Sequence, residues 1–223
     1  MTRRVLVVLL LVLSATAAGA RQQDKPQEKK PRLFPPADLG DLEGPDRDAW
    51  QRPDQIMDAL QIGEGSVVAD VGAGGGWFTV RLAQRVRPNG RVFAEDIQPQ
   101  MVEAIKRRAV REGYGKDVEV VQGTADDPRL PPGALDAVLI VDAYHEIERP
   151  VTLLRNVRAS LKPTGVLGIV NFKKDGGGPG PEMDIRVDAE KVIADAAAAG
   201  LELRKRETFL RYQYMLVFGP TTE

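Results

Sequence analysis

The chain has 223 residues, with 31 lysines and arginines against 32 aspartates and glutamates and a formal net charge of −1 at neutral pH. This balance lacks the basic patch that nucleic acid or an acidic membrane surface requires, and we expect no nucleic-acid partner. The chain contains no cysteine, which excludes disulfides, thiolate metal sites and lipid-modified cysteines, and we predict no metal site.

The first twenty residues have the pattern of a secretory signal. Arg3 and Arg4 form a basic region, residues 5–13 are apolar, and residues 18–20 form a small-x-small cleavage site. The apolar run is shorter than the roughly 20 residues that a spanning helix needs. We therefore predict a cleaved leader and export to the periplasm or beyond. An uncleaved membrane anchor and a twin-arginine route are the alternatives.

Residues 21–46 hold five prolines among charged and polar side chains. Such a stretch buries too little apolar surface to offset the entropy of ordering it, so we predict a linker or arm in which Leu33 and Phe34 could dock on the domain. Further along, Arg47 and Trp50 are candidates for a lid, although packing of the Trp50 ring on the core is the more ordinary alternative.

A helix is predicted from Pro53 to Leu60, with proline at its favoured first-turn position. An apolar, β-branched strand follows at residues 67–71 and stops abruptly in glycines, after which residues 79–86 are helical. Nucleotide-binding α/β folds begin with this order of strand, glycine turn and helix, and their ligand lies at the carboxyl ends of the strands. Trp77 stands where the dinucleotide fingerprint needs its third glycine, and no Lys-Ser or Lys-Thr follows to complete a phosphate loop.

The spacing acidic-x-Gly-x-Gly-x-Gly is formed by Asp70, Gly72, Gly74 and Gly76. It resembles motif I of the class I S-adenosylmethionine-dependent methyltransferases. The resemblance implies that these four residues belong to a site for S-adenosylmethionine. A tight turn in an unrelated α/β protein is the alternative.

The second strand, predicted at residues 91–96, ends in acidic residues about twenty positions after the glycines, where a Rossmann-like unit places a carboxylate on the ribose hydroxyls. A carboxylate suits this role because it can accept two hydrogen bonds from a diol. Glu95 and Asp96 compete for the role, and the resemblance favours Asp96.

A helix is predicted at residues 99–113 and a third strand at residues 118–121. In the same family an acidic residue after this strand contacts the adenine amino group. The resemblance implies Asp126 for that contact, whereas Asp127 fits a loop aspartate that only makes a turn.

The fourth strand is predicted at residues 135–141 because it is almost wholly apolar, as buried parallel strands are. In the family that the chain resembles, the end of this strand faces the transferable methyl group. His145, the only histidine, is therefore a candidate general base, because its ordinary pKa suits proton removal at neutral pH. Glu146 could orient it, and Asp142 or Tyr144 could position an acceptor. The alternative is that His145 caps the following helix or packs structurally.

The remaining chain completes a Rossmann-like pattern. Leu161-Lys162-Pro163-Thr164-Gly165 resembles the Leu-Lys-Pro-Gly-Gly turn before the fifth strand of the family, and the glycine-rich loop 173–181 is a candidate gate. The predicted elements around them are a helix at 150–161, a strand at 166–172, a helix at 188–199 capped by Asp188, and strands at 201–208 and 212–218.

The resemblance implies a Rossmann-like seven-stranded sheet of order 3-2-1-4-5-7-6, mostly parallel with an antiparallel C-terminal strand and with helices on both faces. Residues 47–219 would form this domain and residues 220–223 a tail. The implied activity is S-adenosylmethionine-dependent methyl transfer to a small-molecule acceptor. The alternative is an exported binding protein that keeps the fold without turnover, since the cofactor is made in the cytoplasm and the leader sends the chain out.

Overall fold

The computed structural model describes residues 33–221. The predicted leader, the first part of the arm and the last two residues lie outside the described residues. Within residues 33–221, no helix has the length and apolar content that crossing a bilayer requires.

Seven strands form one sheet in the order β3-β2-β1-β4-β5-β7-β6. The strands are β1 Val67–Val71, β2 Arg91–Asp96, β3 Val118–Gln122, β4 Leu135–Val141, β5 Leu161–Phe172, β6 Leu201–Glu207 and β7 Gln213–Pro220. The first five strands run parallel, and β7 lies antiparallel between β5 and β6. The predicted sheet order and strand directions are confirmed.

Helices cover both faces of the sheet, as predicted. They are α1 Arg47–Gln51, α2 Pro53–Ala59, α3 Trp77–Val86, α4 Pro99–Arg111, α5 Pro150–Ser160 and α6 Ala189–Ala198. Successive strand residues point to opposite faces, so Val68 of β1 joins the core under α2, α3 and α4, while Ala69 joins the core under α5 and α6. This alternation buries β1 on both sides and leaves its carboxyl end free for a ligand.

Two local predictions differ from the structure. The segment from Leu161 to Gly165 is an irregular start of β5, because Leu161 pairs with Leu135 whereas Val166 pairs with Ala137. Asp188 precedes α6 at the N-cap position, but its side chain makes no cap hydrogen bond and instead pairs with Lys174 at 3.0 Å.

Candidate cofactor and acceptor site

A cavity of about 740 Å³ opens at the carboxyl ends of β1, β2 and β4. The strand order reverses between β1 and β4, and this is the position where open α/β sheets bind their ligands. The cavity runs from the glycine turn after β1 to the residues that follow β4, so the two ends of the predicted site share one space.

The glycine turn forms one wall of this cavity. Gly72 and Gly74 line it, and both have a positive φ, of 70° and 56°. A Cβ on Gly72 would lie 2.6 Å from the Cβ of Ala143, so only glycine fits between β1 and the loop after β4. Gly76 does not line the cavity. It precedes α3 and packs against Ile105 of α4, which makes it a structural residue of the turn.

Glu95 and Asp96 both reach the glycine turn. Oδ2 of Asp96 accepts the backbone N–H of Gly74 at 3.0 Å, and its Oδ1 accepts the N–H of Gln98 at 2.9 Å. Oε2 of Glu95 accepts the N–H of Gly72 at 3.3 Å, while its Oε1 is buried without a hydrogen-bond partner among the described residues.

Burial changes the ionisation of these two carboxyls. It raises the pKa of Glu95 to about 8, helped by the neighbouring charge of Asp96. Burial also raises the pKa of Asp96, but three backbone N–H groups oppose that shift. At neutral pH Glu95 therefore keeps its proton, and Asp96 is the better of the two for accepting hydrogen bonds from a diol. The geometry agrees with the preference for Asp96.

Asp70 lines the cavity from β1, and its carboxylate also accepts a hydrogen bond from the first turn of α3. The hydroxyl of Thr79 donates to Oδ2 of Asp70 at 2.6 Å. Burial raises the pKa of Asp70 to about 6, and the Thr79 hydrogen bond and the charge of Arg47 oppose the rise. The side chain is thus ionised at neutral pH.

Asp126 is not brought to the cavity. Its neighbours Thr124 and Ala125 line the wall, but the Asp126 carboxylate pairs with Arg149 at 2.5 Å. This ion pair turns the side chain toward the start of α5. The structure therefore does not support the adenine contact implied for Asp126, and sequence alone gave no sign of the Arg149 pair.

Tyr144 is also turned away from the cavity. Its hydroxyl donates to Oδ2 of Asp195 on α6 at 2.9 Å, and the side chain is buried. Burial and the charge of Asp195 raise the pKa of Tyr144, so the phenol stays protonated. The expectation that Tyr144 positions an acceptor is corrected: Tyr144 joins the loop after β4 to α6.

His145 lies in the cavity wall, with 10% of its side chain exposed. Burial lowers its pKa, which leaves a neutral imidazole at neutral pH, and its Nδ1 has no hydrogen-bond partner among the described residues. Nε2 is 3.8 Å from Oε1 of Glu146, beyond hydrogen-bond distance. His145 therefore lines the cavity as a neutral imidazole with a buried Nδ1, and Glu146 does not orient it.

Asp142 lies in the cavity wall directly after β4, and its carboxylate is held by two residues that the sequence did not point to. Nε2 of Gln213, the first residue of β7, donates to Oδ1 at 2.6 Å. Nε2 of Gln51 in α1 donates to Oδ2 at 3.1 Å, and the guanidinium of Arg47 lies 3.8 Å from the same oxygen. The only sign of these contacts in the sequence is the polarity of Gln213 at the start of an apolar strand.

Residues 33–46, which we call the N-terminal arm, form a further wall of the cavity and include the 3-10 helix Pro36–Glu43. The backbone N–H of Phe34 donates to Oε2 of Glu146 at 2.7 Å, and Nε2 of Gln98 donates to the Phe34 carbonyl at 3.0 Å. Arg108 of α4 pairs with Glu43 and donates to the carbonyl of Gly75 at 3.1 Å. The arm docks on the domain, as its apolar residues suggested.

Trp50 and the gate loop, residues 173–181, also border the cavity. The Trp50 ring lies 5.7 Å from that of Phe172, so it is both a cavity wall and a packed aromatic. Buried Arg186 organises the gate loop by donating to four of its carbonyls, those of Lys173, Gly177, Pro179 and Pro181. The loop is thus an ordered wall.

The sheet order and the glycine turn after β1 are those of the class I S-adenosylmethionine-dependent methyltransferase fold. A family model described as "Methyltransferase domain" matches residues 68–165, which run from β1 into β5. The match shows a methyltransferase domain of this class, whose cofactor is S-adenosylmethionine.

Two curated relatives carry methyltransferase names. The chain is 28% identical over 125 residues to a ubiquinone/menaquinone biosynthesis C-methyltransferase of Hahella chejuensis, covering 56% of this chain and 49% of that protein. It is 31% identical over 110 residues to a probable cobalt-precorrin-6B C(15)-methyltransferase of Methanothermobacter thermautotrophicus, covering 49% and 54%. The chain thus spans about half the length of these curated relatives.

A solved structure resembles nearly the whole described domain. The S-adenosylmethionine-dependent methyltransferase from Aquifex aeolicus superimposes with a TM-score of 0.80 at 25% identity, over 85% of this chain and 100% of that one. The residues present here fit the cofactor. The glycine turn leaves no Cβ in the cavity at Gly72 and Gly74, and the carboxylate of Asp96, which accepts the N–H of Gly74, lines the same cavity.

Proposed function

We propose that the chain transfers a methyl group from S-adenosylmethionine to a small-molecule acceptor bound on the β4 side of the cavity. The observation that carries the proposal is that one cavity joins Gly74 and Asp96 to Asp142 and His145. The cofactor supplies a methyl group already activated on a sulfonium. The protein therefore has to hold acceptor and cofactor close together and aligned, which is a large source of rate acceleration.

On the cofactor side, Asp96 would hold the ribose hydroxyls, and the backbone at Gly72 and Gly74 would lie against the bound molecule. Asp70, ionised at neutral pH, would attract the amino group of the methionine part. Asp126 and Gly76 have no proposed contact, since neither lines the cavity.

On the acceptor side, we assign His145 the role of general base. Its neutral imidazole in the cavity wall supports this role for acceptors that lose a proton when methylated. The surrounding wall, with Trp50, Phe172 and Ile147, favours an acceptor with apolar surface. Both relatives are named as carbon methyltransferases, so an acceptor panel has to include activated carbon atoms as well as phenols and amines.

The test begins with calorimetric titration of S-adenosylmethionine and S-adenosylhomocysteine into residues 21–223. Binding by the wild-type chain and its loss in Asp96→Ala would support the cofactor site. An acceptor panel scored by release of S-adenosylhomocysteine follows, with His145→Gln as the variant expected to lose turnover while it keeps cofactor affinity. A well-folded protein that binds neither ligand would exclude the proposed function.

The comparisons do not support the alternative of a binding protein without turnover. We further infer that the chain is exported, and the support is the leader pattern of Arg3 and Arg4, an apolar run and a small-x-small site. Fractionation of cells that express the tagged full chain tests this inference. Recovery of unprocessed protein in the cytoplasm would contradict it, and failure of export on Arg3→Lys with Arg4→Lys would indicate the twin-arginine route.

A further inference from the structure

Asp142 is held by a buried polar network that connects three elements far apart in sequence. Gln51 of α1 is 0% exposed and Gln213 of β7 is 1% exposed, and both donate to the Asp142 carboxylate. Nε2 of Gln51 also lies 3.2 Å from Oε1 of Gln213. Burying two glutamines with one carboxylate is costly unless every group is paired, and the network provides that pairing.

The direction of the hydrogen bonds favours an ionised carboxylate at Asp142. Arg47 can only donate, and its Nε lies 2.5 Å from Oε1 of Gln51, so the amide NH₂ of Gln51 must face Asp142. The NH₂ of Gln213 faces the other oxygen of Asp142, because its own Oε1 is occupied by Gln51. Each oxygen of Asp142 thus receives one N–H donor. This arrangement suits an ionised carboxylate, because its two oxygens only accept hydrogen bonds.

The backbone at Asp142 turns its side chain into the cavity. Asp142 has a φ of 57°, a left-handed conformation that is unfavourable for residues other than glycine and that clusters at functional sites. Its N–H still donates to the carbonyl of Val170 at 2.9 Å, so β4 stays paired to the point of the turn. With 16% of its side chain exposed, the carboxylate is at the cavity surface.

The charges around Asp142 leave the cavity with an excess of carboxylates. Arg47 is its nearest cation, and the same guanidinium also interacts with Asp70 and Glu43. Arg186 acts on Asp142 over a longer range, while its donors hold the gate loop. The imidazole of His145 and the phenol of Tyr214, whose pKa burial raises, are neutral at pH 7. Glu146 lines the same cavity, and burial raises its pKa to about 7, so it is only partly ionised at that pH.

The cofactor and its spent product differ by one charge. S-adenosylmethionine carries a sulfonium cation, and S-adenosylhomocysteine has a neutral thioether at the same position. Asp96 ends β2 and Asp142 follows β4, on the two strands that flank β1, so they lie roughly 10 Å apart by strand spacing. A ligand whose ribose lies on Asp96 extends across β1 toward Asp142.

We propose that Asp142, held by the positioning residues Gln51 and Gln213, makes the cavity prefer the cationic cofactor over its neutral product. The inference rests on the proposed function and deepens it, because such a preference lets fresh cofactor displace the product after each turnover. The physical cause is the attraction between a fixed, partly desolvated anion and the sulfonium, which the product does not feel.

The test is the ratio of the two dissociation constants, measured by calorimetry between about pH 5 and pH 7. We expect Asp142→Asn to weaken S-adenosylmethionine binding about tenfold and to leave S-adenosylhomocysteine binding unchanged. Asp54→Asn is the matched control, because Asp54 has 82% of its side chain exposed on α2 and lies outside the cavity. Both affinities should be unaffected in this control.

The positioning residues are tested through the pH dependence of the preference between the two ligands, because a merely structural role would not shift it. Burial raises the pKa of Asp142 to about 6, and the glutamine hydrogen bonds oppose that rise. The wild-type preference for S-adenosylmethionine should therefore fall below about pH 6. In Gln213→Leu the pKa should rise, so the loss of preference should begin at a higher pH.

The following results would overturn the inference. In Asp142→Asn, a parallel fall of the two affinities, or no change in either, would contradict it. If that variant does not fold, a wild-type pH profile in Gln213→Leu would contradict it instead. A wild-type chain that binds both ligands with equal affinity would contradict the inference and leave the proposed function standing. A wild-type chain that binds neither would remove both.

Discussion

Asp96 and Gly74 are joined by a hydrogen bond of 3.0 Å from the Gly74 backbone N–H to the Asp96 carboxylate. The bond ties the end of β2 to the glycine turn after β1, so the carboxylate and the turn keep a fixed distance before any ligand arrives. Such preorganisation lowers the cost of binding because little has to be ordered afterwards.

Replacing each of the two acidic residues at the end of β2 by its amide should affect cofactor affinity differently. We expect Asp96→Asn to weaken S-adenosylmethionine binding by more than about tenfold, because the amide cannot accept both hydrogen bonds of a diol. Glu95→Gln should leave the affinity within about threefold, since Glu95 is already uncharged at neutral pH. Calorimetry on both variants decides which carboxyl binds the ribose hydroxyls. A larger loss of affinity in Glu95→Gln than in Asp96→Asn would assign that contact to Glu95.

The ligand-free chain should lose stability as pH rises from mildly acidic to mildly alkaline. Burial raises the pKa of Glu95 from 4.5 to about 8 and of Glu146 from 4.5 to about 7, so the folded chain keeps protons that the unfolded chain releases. When the unfolded state binds fewer protons, the free energy of unfolding falls with pH. The stability is complete below about pH 4.5 and is lost up to about pH 8.

Urea unfolding at about pH 5, 6.5 and 8 measures this loss. Glu95→Gln should remove the largest single part of it, up to roughly 4 kcal/mol at alkaline pH, because Glu95 is 2% exposed and its pKa rises more than that of Glu146. Glu103→Gln on α4 is the control, since Glu103 is fully exposed and its pKa is lowered by Lys106. A stability that is flat or rises over this range would contradict the buried environment of Glu95.

The N-terminal arm should depend on Arg108 for its place on the cavity. Arg108 pairs with Glu43 of the arm and also holds the carbonyl of Gly75, with 13% of its side chain exposed. We expect Arg108→Leu to expose residues 33–46 to proteases and to weaken S-adenosylmethionine binding about three- to tenfold, because a buried ion pair loses one partner. Limited proteolysis and calorimetry measure the two effects.

Arg107→Leu provides the matched control, because Arg107 is the neighbouring arginine of the same helix and is exposed. It should leave both readouts at their wild-type values. If Arg107→Leu and Arg108→Leu behave alike, the effect comes from the charge of α4 and the docking of the arm does not depend on the Glu43 pair.

Much of the fold could be predicted from local sequence. The strands at 67–71, 91–96 and 135–141 have the predicted bounds, because buried parallel strands are short apolar runs that end at glycines or charges. The sheet order was implied by the family resemblance and is confirmed. The bulged start of β5 was not predicted, since its pairing with β4 depends on a partner strand more than twenty residues away.

The site was predictable where function depends on the backbone and less so where it depends on the direction of a side chain. Gly72 and Gly74 follow from their spacing in one turn, whereas spacing left Glu95 and Asp96 open and the family resemblance favoured Asp96. Gln51 and Gln213 lie 162 positions apart, and only the folded sheet places them on one carboxylate. Local sequence did not show that Asp195 would bind Tyr144 on the far side of the loop.

Tyr144 provides the last prediction, because its position separates a structural role from a catalytic one. We expect Tyr144→Phe to cost about 1–2 kcal/mol of unfolding free energy, since Asp195 loses a buried donor, and to leave S-adenosylmethionine affinity unchanged. Lys191 at 2.7 Å still pairs with Asp195, which keeps the cost moderate. Urea unfolding and calorimetry measure the two quantities, with Tyr114→Phe, outside the cavity, as the control. Unchanged stability together with weakened cofactor binding would return Tyr144 to the site, and would mean that its hydroxyl leaves Asp195 when a ligand enters.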